Sequence, residues 1–312
     1  MIVYNELESL ESDLGIPIRT LYALSNSLCR HYREKSIPKK NGTGSRVLSI
    51  PDEALKAVQT AILEKLLVYE PVSVYAKAYK PGVSVIHNAA PHVGRREMVK
   101  LDIYRFFDSI SYSDVKDRAF PKERYSEKIR ILLAMLCYHN DSLPQGAPTS
   151  PAISNIIMRE FDETVGEWCR LRGVAYTRYC DDMTFSGESL DGNAITEFIA
   201  SELGKMHLVL NLGKTRMLGS GQRHSVTGVV VNRRMNTNRA YKRRLRQTIY
   251  YCTVRGVEEH LSRIGSDESP ERFLSSLLGS VNYILSVEPD NREFKDYKRL
   301  ILLWKKERGI RR

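Results

Sequence analysis

Residues 177–187, TRYCDDMTFSG, set two adjacent carboxylates, Asp181 and Asp182, between two runs of aromatic and β-prone residues. Successive side chains of a regular strand point to opposite faces, so a straight strand cannot aim both acids at one target. A tight turn can. The pattern predicts one strand over residues 174–179, a second over 183–186, and a hairpin tip between them where both carboxylates reach the same cation. Asp is also an ordinary turn residue, so the pair gains chemical meaning only if a third carboxylate and phosphate-handling groups occur elsewhere.

Strands and helices alternate around this hairpin. Val99, Leu101 and Ile103 alternate with Lys100 and Asp102, which lays an apolar side on the core and presents Asp102 on the other. An apolar helix over 129–138 and a loop over 141–149 follow. A helix over 152–172 takes Ser150 as its cap, Pro151 in its first turn, and Ile153, Ile156, Ile157, Phe161, Val165 and Trp168 as its buried stripe, before Gly173 ends it. Upstream, residues 20–33 read as a short helix striped by Leu21, Leu24 and Leu28. Residues 39–46 read as a basic, glycine-bearing hairpin tip, and a helix after Pro51 is striped by Leu55, Val58, Ile62 and Leu66. No internal repeat or low-complexity linker divides the chain.

After Asn232 the character changes to basic helices. Arg233, Arg234, Arg239, Lys242, Arg243, Arg244 and Arg246 crowd one stretch, while Phe273, Leu277, Leu278, Val281 and Ile284, then Leu300, Ile301, Leu303 and Trp304, stripe later helices. Together with a net charge of +11 this points to a polyanionic partner, nucleic acid first. The five cysteines are odd in number and lack CxxC spacing, which disfavours a disulfide framework or zinc ribbon and fits a reducing cytosol. The acidic start, with Glu6, Glu8, Glu11 and Asp13, is not a secretory signal, and no apolar run approaches the roughly 20 residues that span a bilayer.

Four segments converge on one chemistry: LDIYRFFD from Leu101, LPQGAPTSP from Leu143, YCDD from Tyr179 and NLGKT from Asn211. In this order and spacing they resemble motifs A to D of the reverse transcriptases. The resemblance implies an α+β, right-hand polymerase fold with fingers, a palm built on an antiparallel sheet, and a helical thumb. Extending a nucleic acid requires in-line attack of a hydroxyl on an α-phosphate, which a pair of Mg2+ ions bridged by hard oxygen ligands promotes. Asp102, Asp181 and Asp182 suit those ligands, with Ile103 beside them in the metal set. Phe107 takes the place of an aromatic gate that excludes a ribose 2′-hydroxyl. Gln145 and Gly146 resemble the loop that positions the incoming deoxynucleotide, Arg46 in RVLSIP the residue that grips its triphosphate, and Lys214 the lysine that serves pyrophosphate as an acid. Cys180 stands where bacterial relatives often carry Ala, and no partner base marks it as a nucleophile.

Two further marks resemble the retron-type reverse transcriptases: NAxxH, with Asn88 and His92, ahead of motif A, and Val226-Thr227-Gly228 after motif D. That resemblance implies an enzyme that folds with its own structured non-coding RNA (msr–msd), primes from a guanosine 2′-hydroxyl and makes branched RNA–DNA (msDNA) in an anti-phage system that includes an effector protein. Residues 1–97 would be an N-terminal region and fingers, 98–232 the palm with interleaved fingers, and 233–312 a basic thumb. Arg239, Lys242, Arg243, Arg244 and Arg246 would face the RNA there, with Tyr241, Tyr250 and Tyr251 as stacking candidates. With the sequence closing on the basic helices, no appended ribonuclease H, maturase or endonuclease domain is expected. The rival readings are a reverse transcriptase with ordinary 3′-primed synthesis and an idle RNA-binding scaffold.

Overall fold

The computed structural model describes residues 3–38 and 44–309. It forms two compact units, Met1–Val83 with Glu97–Met217, and Ser84–Arg96 with Leu218–Arg312.

The first unit is organised by a 4-stranded sheet in the order β4 (Ala175–Tyr179), β5 (Asp182–Gly187), β3 (Glu97–Asp102), β6 (Arg216–Leu218). The expected hairpin is β4–β5, and β3 pairs antiparallel with β5 on its other side. Val99 opposes Phe185 and Leu101 opposes Met183, all four buried, so one face of the sheet is core. Asp102 opposes Asp182 on the other face. Beyond β4 the chain adds a short parallel edge: Arg178 N donates to Tyr75 O (2.9 Å) and Lys77 N to Arg178 O (2.8 Å). Ile153, Ile157, Phe161 and Val165 of the packing helices close the core.

Two helices differ from the expectation. The stretch 20–33 divides into helices Ile18–Ser25 and Leu28–His31, and from Tyr32 the backbone is strand β1 (Tyr32–Pro38), paired with β2 (Ser45–Pro51). Leu21, Leu24 and Leu28 are helical as expected, and pairing with β2 takes over at Tyr32 and Arg33. Residues 152–172 divide into Ser150–Ile157 and Arg159–Arg170, although Met158 N still reaches Ser154 O (3.2 Å) and Asp162 N reaches Met158 O (2.9 Å). Ser150 does not cap: its hydroxyl donates to Pro144 O (2.7 Å) and pins the preceding loop. Lys39, Lys40, Asn41, Gly42 and Thr43 of the expected basic tip lie outside the described residues.

The second unit holds the short hairpin β7 (Ser225–Val226) and β8 (Val229–Val230) and the helices Arg239–Arg255, Val257–Arg263, Pro270–Val287 and Arg292–Glu307. Its core is separate: Leu245, Ile249, Leu274, Val281, Ile284, Phe294 and Ile301 are buried together. Asn238 and Asn291 cap two of these helices by accepting from Ala240 N (2.8 Å) and Phe294 N (3.3 Å). Among the described residues no helix is long and apolar enough to cross a membrane.

One glycine is dictated by close approach. Gly146 has φ 130°, and a Cβ there would stand 2.8 Å from Ser49 O of β2. Ser49 N in turn donates to Gln145 O (2.9 Å), so this loop is stitched to the hairpin. Gly146→Ala is expected to cost about 1–3 kcal/mol and to lower the melting temperature of the full chain by several degrees in a thermal scan. An unchanged melting temperature would show that the loop yields without penalty.

Candidate active site

The register of β3 and β5 fixes the first two carboxylates. Asp102 ends β3 and Asp182 begins β5, directly opposite one another, while Tyr179 faces Asp182 from β4. Cys180 and Asp181 form the turn between β4 and β5. Cys180 adopts φ 60°, the left-handed region that costs an ordinary residue about 1 kcal/mol. Asp181 O accepts from Ile103 N (3.1 Å), which ties the turn to β3. The sequence thus brings Asp102, Ile103, Asp181 and Asp182 together, with Asp182 in the strand itself rather than at the tip.

Electrostatics there are unfavourable without a cation. Burial, then the neighbouring Asp102 charge, pushes Asp181 above the usual carboxylate range; burial, then Asp181, does the same to Asp182. Asp102 is buried and well served: Lys214 Nζ donates to one oxygen (2.8 Å), Asn211 Nδ2 to the other (3.0 Å), and Asn211 N to its carbonyl (2.8 Å). Burial works against the Lys214 charge. The hydrogen bond to Asp102 and the three carboxylate charges outweigh it and hold Lys214 above the ordinary lysine value. The structure therefore places Lys214 as the resident cation of the carboxylate group. Carboxylates at the end of β3, in the β4–β5 turn and at the start of β5, short of positive charge, are a hard-oxygen donor set whose chemistry fits a divalent cation. Among the described residues no three such groups are already drawn into a closed ligand cluster. Cys180 is buried, and its thiol is pushed up to about 12 by burial first, so it is no nucleophile.

The nucleotide-side candidates share one neighbourhood. Phe107 lies half-buried in the short helix Phe106–Ser109, its ring 5.4 Å from the buried Phe106. Its carbonyl accepts from Leu143 N (3.1 Å), and Gln145 Nε2 donates to Asp108 Oδ1 (3.2 Å). Phe107, Gln145, Gly146 and β2 are thereby linked in one chain of contacts. Arg46 sits exposed on β2, opposite Ile37.

The other candidates lie in the second unit. Asn88 is buried, and its Nδ2 donates to Thr227 Oγ1 (3.4 Å). Thr227 and Gly228, at φ 45° and 88°, form the turn that joins Val226 to Val229; both residues are left-handed, as a two-residue hairpin of this hand requires. His92 is fully buried. The basic residues of helix Arg239–Arg255 divide. Lys242 donates to both Glu288 oxygens (3.0 Å each) and to Asn236 Oδ1 (2.6 Å); Arg246 forks onto Glu293 (2.6 and 2.7 Å). Arg239, Arg243 and Arg244 are exposed and make no ion pair with a described residue. Tyr250 is exposed, whereas Tyr241 packs edge-on to Tyr283 and Tyr251 lies against His260.

The family described as reverse transcriptase (RNA-dependent DNA polymerase) matches residues 37–245. The retron Mx65 reverse transcriptase of Myxococcus xanthus is 30% identical over 314 residues, covering 93% of this chain and 70% of that protein. The chain belongs to the retron-type reverse transcriptases. The retron Ec86 reverse transcriptase of Escherichia coli is 28% identical over 96% of this chain and 88% of that protein. In structure, the telomerase of Candida albicans in complex with a fragment of telomeric RNA aligns at TM-score 0.52 and 11% identity, over 88% of this chain and 63% of that one. The shared architecture is the right-hand polymerase fold.

This reverse transcriptase is an RNA-directed DNA polymerase, and its family depends on divalent metal. Its carboxylates are the residues that the motif spacing singles out. Reading from motifs missed the groups behind them: Asn211, which fixes Asp102, and the buried pair Arg178 and Asp162 beneath the turn. The available signal was a charged residue in mid-strand and an acid beside Phe161 in an apolar helical stripe.

A carboxyl whose folded value is raised holds its proton more tightly folded than unfolded, so the stability it supplies falls as pH rises above the unfolded value. Asp181→Asn and Asp182→Asn are therefore expected to raise the melting temperature in chelator at neutral pH, on the order of 1–3 °C for partly exposed groups. The gain should shrink toward pH 4, and DNA synthesis should be lost. Equal melting of variant and wild type at both pH values would contradict the raised values.

Proposed function

We propose that this reverse transcriptase copies part of its cognate msr–msd RNA into DNA from a guanosine 2′-hydroxyl, giving branched msDNA within an anti-phage retron that includes an effector protein. The observation that carries this reading is likeness to retron enzymes along nearly the whole chain. The bond between Asn88 of NAxxH and Thr227 of VTG supports it, because the two retron marks then work as one element. Free cysteines throughout the described residues fit a reducing cytoplasm.

In this reading Asp102, Asp181, Asp182 and the Ile103 backbone hold a pair of Mg2+ ions. When bound, the ions lower the pKa of the attacking hydroxyl and neutralise the leaving pyrophosphate. The chain's own groups do the rest. Phe107 excludes a 2′-hydroxyl, Gln145 and Gly146 orient the incoming deoxynucleotide, and Arg46 grips its triphosphate. Lys214 carries positive charge and a proton toward pyrophosphate, a role that its hydrogen bond to Asp102 supports. Residues 1–97 serve as fingers, 98–232 as palm and 233–312 as thumb, where Arg239, Arg243 and Arg244 meet RNA phosphates. Lys242 and Arg246 shape that surface, while Asn88, His92 and Val226-Thr227-Gly228 attend the primer end.

The test is to express the chain with its native flanking DNA and treat the co-purifying nucleic acid with DNase, RNase and a 2′,5′ debranching enzyme. A species shortened by both nucleases, split by debranching, and missing from the Asp181→Ala, Asp182→Ala protein is expected. DNA with a 3′ junction, or RNA without DNA, would overturn the retron assignment. Separately, Phe107→Ala should relax discrimination against ribonucleotides by about 10- to 100-fold in primer extension. Unchanged discrimination would make Phe107 an ordinary packing residue.

A further inference from the structure

Arg178 lies in the middle of β4, two residues before the catalytic turn, with no exposure to solvent. Burying a guanidinium is costly unless its donors are used. Here Nε and Nη2 fork onto Asp162 (2.8 and 2.6 Å), Nη2 also reaches Asn155 Oδ1 (3.3 Å), and Nη1 donates to Cys180 O (2.9 Å). Asp162, also fully buried, accepts from Tyr176 Oη (2.8 Å), and Asn155 Nδ2 holds Ala78 O (2.8 Å). A well-packed apolar pair could fill the same space at equal or better stability, so core packing does not call for this network.

One bond of Arg178 leaves the network for the turn. It goes to the main chain of Cys180, the residue held at φ 60°. Ile103 N grips the next carbonyl, that of Asp181, from the β3 side. The carbonyls of the left-handed residue and of the residue after it are thus both clamped, and this conformation sets where the Asp181 side chain leaves the turn. The charge of the clamp also matters. A lone guanidinium beneath the carboxylates would compete with a divalent cation; paired with Asp162 it gives a hydrogen bond with little net field.

We propose that Arg178, held by Asp162 and Asn155, is a positioning residue of this polymerase, which fixes the backbone of Cys180 so that Asp181 and Asp182 stay aligned with Asp102 for cation binding. The proposal rests on those carboxylates being the cation ligands.

The test uses the full chain and Mn2+ as a spectroscopic probe. Arg178→Met combined with Asp162→Leu removes the clamp and leaves an apolar pair. The variant is expected to fold, to bind Mn2+ about 10- to 100-fold more weakly and to lose kcat by a similar factor, with the deoxynucleotide KM little changed. Measured in chelator, exchange of the Ile103 amide should accelerate, a readout independent of any cation. Failure of the ligand assignment, seen as wild-type protein that binds no Mn2+ at these carboxylates, is thereby distinguishable from failure of the clamp. A folded double variant with wild-type Ile103 exchange, Mn2+ affinity and kcat would overturn the proposal. If the double variant does not fold, Arg178→Lys is compared with Tyr176→Phe, which trims the same network away from the turn. Weakened Mn2+ binding and faster Ile103 exchange in Arg178→Lys alone support the clamp. Equal losses in both, or none in Arg178→Lys, would place the role in the core and overturn it.

Discussion

The register of β3 against β5 is the constraint on which the catalytic geometry depends. Because side chains alternate along a strand, a one-residue slip would send Asp102 to the core face and Leu101 to the site. Apolar pairs hold that register: Val99 against Phe185 and Leu101 against Met183, all buried. The carboxylates contribute nothing to it and oppose it, since Asp102 and Asp182 are like charges set directly across from one another. The hydrophobic face therefore holds in place a polar face that would otherwise separate.

How the protein tolerates that polar face follows from which charges it neutralises. Asp102, the most buried of the three, receives Lys214 and Asn211. Asp162, deeper still, receives Arg178 and Tyr176. Asp181 and Asp182 keep their charge least compensated, and they occupy the turn and the strand start where a cation can approach. Charge is satisfied in proportion to depth, and what remains open is at the mouth of the site. Lys214 holds one oxygen of Asp102, so Lys214 and a cation at this site draw on the same carboxylate.

Much of this was legible in the sequence, because alternation about Asp102 and the paired acids after Tyr179 are strong period-two signals bounded by a turn. The strand from Tyr32 was not, since residues 20–33 carry a helical leucine stripe and only the partner strand reveals the switch. Gly146 reads from sequence as part of a nucleotide-positioning loop, and its close approach to the backbone of Ser49 carries no sequence signal. Arg178 gave only the weak signal of a charge within a strand run: a basic residue there ordinarily faces water, and only Asp162, which lies beside Phe161 in another element, makes its burial affordable. Long-range polar pairs of this kind carry no local period, so propensity and pattern cannot find them. Asn88 and Thr227 are the same case. Resemblance flagged both motifs, and geometry supplied their bond.

The basic helix of the second unit shows why a charge count alone misstates a binding face. Lys242 and Arg246 lie among its arginines in sequence, yet they are committed to Glu288 and Glu293, at the end of one neighbouring helix and the start of another. Both pairs span elements of one unit, and the Arg246 guanidinium also lies over the Phe294 ring, so they fix the rotation of helix Arg239–Arg255 on its core. That rotation decides which cations remain outward: Arg239, Arg243 and Arg244 on the first turns of the helix and Arg255 at its end, over the Tyr251 ring, with Tyr250 exposed between them. A phosphate backbone is attracted by charges free to exchange counterions, and an arginine already forked onto a carboxylate releases little. The electrostatic footprint of this helix is therefore narrower than its sequence, and the paired residues define its edges.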